Sequence, residues 1–230
     1  MNGQTIWSML VTVIIGYLLG SVNASIILTK LIKNDDIRRH GSGNAGMTNV
    51  MRTLGALPGI LTFVFDFLKC AAAIALGLYV VKQGWLGTGL PEDLTGLAKY
   101  AAGFGCLLGH IFPLYFGFKG GKGIVTTTAM VLLLDYRIFL PALLVFSVVF
   151  VWKRTISLSS VTAVSLYPVF TWLVTFFLDY RKAGLRLSAV LGQTVFAALI
   201  AAIVLFAHRS NIQRLRKGEE KPLSFGKKSP

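Results

Sequence analysis

Long apolar runs separated by short polar breaks dominate this chain. Residues 6–31, 56–81, 94–115, 121–135, 137–152, 157–178 and 187–207 are each mainly apolar. A membrane-crossing helix needs roughly 20 such residues. The pattern therefore predicts an all-α, polytopic transmembrane bundle of about seven spans. The fourth and fifth runs are short, and Asp135-Tyr136-Arg137 is the polar break between them. One helix over 121–152 would be about 48 Å long, too long for a single crossing, which favours two. There is no internal repeat and no second domain. Residues 1–216 read as one transmembrane domain and 217–230 as a basic, mobile tail.

Composition removes the soluble alternatives. Charged residues make up 14% of the chain, against about 25% in ordinary soluble domains, so a hydrated surface for a globular fold is missing. The formal net charge is +14. A nucleic-acid binder would gather that charge on a polar domain. Here it is scattered between apolar runs, so nucleic acid is not an expected partner and membrane lipid is.

Lys and Arg in short loops set orientation. Nothing basic precedes the first run, whereas Lys30, Lys33, Arg38, Arg39 and Arg52 follow it. The N-terminus is therefore expected outside and the C-terminus in the cytoplasm, as for an inner-membrane protein. Lys119, Lys122, Lys153, Arg154 and the basic tail then fall inside. The loop with Arg181, Lys182 and Arg186 falls outside and runs against the rule. A signal peptide is not expected, because the first run is long and lacks a basic flank and a cleavage site. Cys70 and Cys106 sit in apolar runs and read as reduced core residues. His40, His110 and His208 lack metal-ligand spacing, so no metal or cofactor is expected.

The polar chemistry is confined to the expected inner loops. The first holds Gly41-Ser42-Gly43-Asn44-Ala45-Gly46-Met47-Thr48-Asn49, followed by Arg52. Glycines let successive backbone N–H groups converge on an anion, and a guanidinium fits phosphate. A tight turn explains two glycines. It does not explain three, plus four amide or hydroxyl side chains and an Arg. The loop is no Walker motif: GxxxxGK[ST] is absent from it, and no acidic metal ligand follows. The second inner loop holds Gly109-His110 and Lys119-Gly120-Gly121-Lys122-Gly123. Its lysines alone would serve as positive-inside anchors, but the glycines make a second anion site. His110 fits either proton exchange or a hold on a helix-end carbonyl.

Two further elements are weaker. Ser157-Leu158-Ser159-Ser160 reads first as a helix cap. His208 and Asn211, three residues apart at the end of the last run, share a helix face. Within the spans, Asp66 and Lys69 can pair and hide their charge. All four loop elements fall on one expected face, with two anion nests, several cations and no cluster of carboxylates. That arrangement suits two phosphate-bearing ligands near lipid.

The stretches GSGNAGMTNVMR at 41–52, GHIFPLYFGFKGGKG at 109–123, SLSS at 157–160 and HRSNIQRLRKGEE at 208–220 resemble the bacterial acyl-phosphate:glycerol-3-phosphate acyltransferase family. The likeness runs in order over nearly the whole chain. Met47 departs from the usual Ala and Cys70 from the common Gly. The resemblance implies a seven-helix enzyme with its site at the cytoplasmic face. It would pass a fatty acyl group from acyl phosphate to the 1-hydroxyl of sn-glycerol 3-phosphate, giving lysophosphatidic acid and phosphate. It places acyl phosphate on Ser42, Gly43, Asn44, Gly46, Thr48 and Asn49. It places glycerol 3-phosphate on Arg52, Lys122, Ser160, His208 and Asn211, with Arg52, Lys122, Ser160 and His208 serving catalysis. The enzyme that makes the acyl phosphate is an expected partner. The proton acceptor stays open between the donor's own phosphate, His208 and His110.

The main rival is a transporter of a phosphorylated metabolite. Transporters place their binding groups near the midplane, often between repeats. Here the motifs gather at one face. A lipid-pyrophosphate phosphatase would want metal-binding carboxylates, and the nine acidic residues of the chain avoid the glycine loops.

Overall fold

The computed structural model describes residues 3–82 and 95–220, with side chains from residue 6 onward. The expected outer loop after Lys82, and the tail beyond Glu220, lie outside the described residues. Among the described residues eleven α-helices follow in order: α1 (Gly3–Gly20), α2 (Ala24–Lys33), α3 (Met47–Leu54), α4 (Ala56–Lys82), α5 (Thr95–Ile111), α6 (Ile124–Leu134), α7 (Tyr136–Lys153), α8 (Ile156–Val174), the single turn α9 (Arg181–Ala183), α10 (Leu187–Ala207) and α11 (Arg209–Arg216). Among the described residues six stretches are long and apolar enough to cross a bilayer: Ile6–Lys33, Ala56–Lys82, Thr95–Phe116, Tyr136–Lys153, Ile156–Ala183 and Leu187–Ala207. The chain is a multi-pass helical membrane protein.

The fourth apolar run forms α6, of 11 residues. At about 1.5 Å per residue it is roughly half the length of a hydrocarbon core. It starts late because Lys119–Gly123 stays out of the helix, where three glycines disfavour helical backbone. It stops at Asp135, which turns extended and caps α7 by accepting a hydrogen bond from the Arg137 N–H at 2.8 Å. Residues 121–152 are therefore two helices.

The first apolar run also breaks. α1 ends at Gly20, and Asn23 restarts the chain as α2 by accepting from the Ile26 N–H at 3.2 Å. The break is fastened to the end of α5. The Leu114 N–H donates to Ser21 Oγ at 3.2 Å, and the Tyr17 hydroxyl donates to the Phe112 carbonyl at 3.0 Å.

α1 and α5 approach to backbone contact. Gly16 and Gly20 on α1 face Gly105 and Gly109 on α5, and a Cβ on any of the four would collide with backbone of the opposite helix. Small residues four apart are the usual device for such approach where lipid removes the hydrophobic drive between helices. α4 packs against both. A second group, α7, α8 and α10, joins the first through α5 and α6. Tyr100, Leu107, Met130, Tyr167, Ile200 and Val204 fill the core between the groups. α7 is the loosest member, with Ile138 its single buried residue.

After Val174 the chain widens into a π-helical turn, Thr175–Tyr180. Trp172 stacks on Phe176 at 5.1 Å, and Phe176 on Tyr180 at 5.4 Å. Arg137 bridges Asp135 and Asp179 there, tying the start of α7 to this turn.

Candidate functional site

Asn49 builds the first glycine loop. Its amide is buried; Nδ2 donates to the carbonyls of His40 at 2.9 Å and Asn44 at 3.0 Å, while Oδ1 accepts from the Ser42 N–H at 2.9 Å. Gly41 lies at φ +57°, and a Cβ there would strike the Asn49 amide. The loop therefore wraps one side chain, and Gly41 is glycine to make room for it. Asn49 has little capacity left for a ligand and acts by shaping the loop. At Gly46 the chain enters α3 with no side-chain cap, so the first helix N–H groups stay free to face an anion.

The second loop lies against the first. Gly121 sits on the ring of His110 and the carbonyl of Ala45, where a Cβ would overlap both. The Gly120 and Gly121 N–H groups donate to the Ile111 and His110 carbonyls at 3.0 and 3.1 Å. Arg38 is the clamp between the loops, donating to the Phe116 carbonyl at 2.7 Å and the Lys119 carbonyl at 3.0 Å while paired with Asp36. In the sequence Arg38 is one more basic residue of an inner loop, and beyond its neighbours Asp35 and Asp36 nothing local announces the clamp.

Beneath the loops, Asp66 pairs with Lys69 at 2.7 Å and lies 3.5 Å from His110 Nδ1. Lys69 also donates to the Val22 carbonyl at 2.9 Å and to His110 Nδ1 at 3.0 Å. An ammonium can only donate, so Nδ1 accepts and the ring is neutral with its proton on Nε2. Lys69 thus joins α4 to the α1–α2 break and to α5.

These parts surround a cavity of about 840 Å³. Ser42, Asn44, Gly46, Thr48, Asn49, Arg52, Lys122, Ser160, His208 and Asn211 all line it. Gly43 does not: its N–H turns back to the His40 carbonyl at 2.9 Å. The wall also holds three carboxylates that the sequence reading did not place there, Asp66, Glu219 and Glu220. Two are matched by cations, Asp66 by Lys69 and Glu220 by Arg214 at 2.6 Å. Exposed Arg52 at the rim has no such partner among the described residues, and Lys122 donates to the neutral amide of Asn211.

Glu220 comes from the segment expected to be tail. It accepts from Ser157 Oγ and Asn211 Nδ2, both at 2.7 Å. Burial alone would raise its pKa, but those bonds and Arg214 outweigh it and hold the carboxyl low. Glu220 fixes Asn211, which in turn receives Lys122. The expected capping role of the serine run is not found. Thr155 makes no side-chain cap to α8, Ser157 holds Glu220, and Ser160 is left facing the cavity.

His208 sits between α10 and α11. Its Nδ1 lies 2.8 Å from the Val204 carbonyl, so Nδ1 carries the proton and Nε2 is free to accept. Burial pushes its pKa down, against the pull of that carbonyl. Burial likewise lowers Lys122, assisted by the charge of Arg214. The lower wall is apolar: Phe63, Val131, Phe139, Leu143, Phe146 and Val164. The cavity is therefore a cationic mouth over an oily depth, shaped for an amphiphile with anionic groups at one end.

The family model described as glycerol-3-phosphate acyltransferase matches residues 10–218 of this chain. A relative of that name from Aquifex aeolicus is 38% identical over 210 residues, covering 90% of this chain and 95% of its own. One from Clostridioides difficile is 35% identical over 218 residues, covering 95% and 97%. Among solved structures, PlsY (YgiH), an integral membrane glycerol 3-phosphate acyltransferase, superposes in its glycerol 3-phosphate form with TM-score 0.72 and 36% identity, over 94% of this chain and 96% of that one.

Proposed function

This chain belongs to the glycerol-3-phosphate acyltransferase family, and on that footing we propose that it transfers a fatty acyl group from acyl phosphate to the 1-hydroxyl of sn-glycerol 3-phosphate. The products are lysophosphatidic acid and inorganic phosphate. The observation that carries the reading is the convergence of both glycine loops, Arg52 and Lys122 on one cavity whose depth is apolar.

Acyl phosphate is already activated, so a protein nucleophile is unnecessary. The main task is to hold two anions together against their repulsion, and proximity contributes several kcal/mol to such a step. The loop of Ser42, Asn44, Gly46 and Thr48 holds the donor phosphate, shaped by Asn49, with Gly43 turning the backbone. Arg52, Lys122, Ser160, His208 and Asn211 hold glycerol 3-phosphate. The 1-hydroxyl oxygen bonds to the acyl carbon as the bond from that carbon to phosphate oxygen breaks. The hydroxyl proton goes to the departing phosphate, and His208 Nε2 holds the glycerol backbone in place by accepting from the neighbouring 2-hydroxyl. Donor N–H groups and cations stabilise the charge that develops on the phosphate. An enzyme that makes acyl phosphate supplies the donor.

The test is one assay. Purified protein given palmitoyl phosphate and glycerol 3-phosphate is expected to release phosphate and form lysophosphatidic acid. Excess EDTA is expected to leave the rate unchanged, because among the described residues no three His, Cys, Asp or Glu side chains gather to hold a metal. Glycerol 3-phosphate entering liposomes without turnover would replace the reading with a transporter. A rate lost to EDTA and restored by magnesium would overturn the metal-free chemistry.

The mouth of the cavity faces the cytoplasm of a bacterial inner membrane in this proposal, with the N-terminus outside. Arg154 and Arg181 lie exposed near opposite ends of the Ile156–Ala183 stretch. Cys70 and Cys106 are buried and give little background to a thiol reagent. In intact cells, an impermeant maleimide is expected to label Arg181→Cys and spare Arg154→Cys. The opposite pattern would invert the topology.

A further inference from the structure

Hydroxyls on the helices of this protein follow a rule. Thr12, Thr29, Thr62, Thr171, Thr175 and Thr194 each donate to the carbonyl four residues earlier, at 2.7–2.9 Å. That bond is the default for a threonine in an apolar helix, because lipid offers no other acceptor. Thr127 breaks it. Its side chain is 5% exposed and its Oγ1 makes no hydrogen bond. Ser160 breaks it too, at 2% exposed. Both line the cavity. Ser25 and Thr126 are also unbonded but lie off the cavity wall, and the Tyr167 hydroxyl, unbonded on the wall, stands on α8 one turn from apolar Val164. A buried hydroxyl without a partner is unfavourable, so Thr127 is built for a partner that arrives with the substrate.

The place of Thr127 along α6 selects that partner. Gly123, four residues before it, belongs to the cationic mouth. Val131, four residues after it, belongs to the apolar depth. One helical turn, about 5 Å, therefore separates the hydroxyl from each zone. In an acyl phosphate, the atoms between the anionic head and the hydrocarbon tail are those of the acyl carbonyl. Its oxygen can only accept, and a threonine hydroxyl can donate. Resting on the reaction proposed above, we infer that Thr127 donates a hydrogen bond to the acyl carbonyl oxygen of the donor. That oxygen gains negative charge as the hydroxyl attacks, so the bond strengthens toward the transition state.

Thr127→Val keeps the shape and removes the donor. It is expected to lower kcat about ten- to a hundredfold, with the KM for glycerol 3-phosphate unchanged and the melting temperature no lower than wild type. Thr127→Ser is expected to recover most of the rate. A binding measurement separates this from the reaction itself. A non-hydrolysable acyl phosphonate, which keeps the carbonyl, should inhibit the valine variant about tenfold more weakly than wild type. An alkyl phosphate without the carbonyl should inhibit both equally. Equal loss for both inhibitors, a raised KM for glycerol 3-phosphate at unchanged kcat, or wild-type kinetics in the valine variant would overturn the assignment. If wild type itself gives no turnover, the proposed reaction has failed, and the affinities of the same two compounds, titrated by calorimetry, still decide whether Thr127 reads a carbonyl.

Discussion

Lys122→Ala is expected to raise the KM for glycerol 3-phosphate far more than the KM for acyl phosphate. The ammonium is held at the mouth of the cavity by Asn211, which Glu220 holds in turn. A charged hydrogen bond to phosphate contributes roughly 1.5–3 kcal/mol, so kcat/KM should fall about ten- to a hundredfold. The fold should survive, since Asn211 keeps its bond to Glu220. Asn44→Ala is the complement. Its backbone carbonyl stays bound by Asn49, so the loop keeps its shape while one donor to the acyl phosphate is lost. That variant should raise the KM for acyl phosphate, or lower kcat if the bond tightens only as charge develops. Steady-state kinetics in both substrates decides. A Lys122→Ala shift confined to acyl phosphate, or wild-type kinetics in both variants, would make these loops mere turns.

The second large effect is on stability. Asp66→Ala leaves the Lys69 ammonium, 10% exposed, with carbonyl and imidazole neighbours and no counter-charge. Breaking a buried pair this way is destabilising by about 3–5 kcal/mol. In a chain of this size that corresponds to a loss on the order of 10 °C in melting temperature. Asp66→Ala with Lys69→Met removes both charges and should melt well above the single variant. Thermal unfolding in detergent measures both. A single variant melting within about 2 °C of wild type, or a double variant no better than the single, would show the pair to be incidental.

The sequence made the membrane class, the two glycine loops and a set of polar cavity residues legible, because each leaves a local mark: apolar length, glycine density, a cation beside glycine. What it hid depends on contacts far apart in the chain. Asn49 reads as one more polar residue near a phosphate loop, and its role as the post the loop winds around appears only when the carbonyls of His40 and Asn44 meet it. Glu220 reads as tail, because its partners Ser157, Asn211 and Arg214 lie on two other helices. Other features were readable and passed over. The spacing Gly16-xxx-Gly20 and Gly105-xxx-Gly109 announces close helix contact in a membrane. Asn23 within an apolar run is a cap residue announcing a restart. The run that holds α6 reads as a full span because hydropathy does not register that Lys119–Gly123 is already committed to the loop.

The uneven packing of the helices divides the site mechanically. On one side, α1 and α5 touch backbone to backbone, so the loops they carry stand on a stiff base that cannot spread without breaking that contact. On the other, α7 has one buried residue and contributes Phe139, Leu143 and Phe146 to the apolar wall. The headgroup end of the cavity thus has fixed dimensions, while the tail end is bounded by a helix that leans on the surrounding bilayer. The apolar wall is thereby the part of the cavity nearest the membrane phase, and a lipid packed against the outer face of α7 would complete its enclosure.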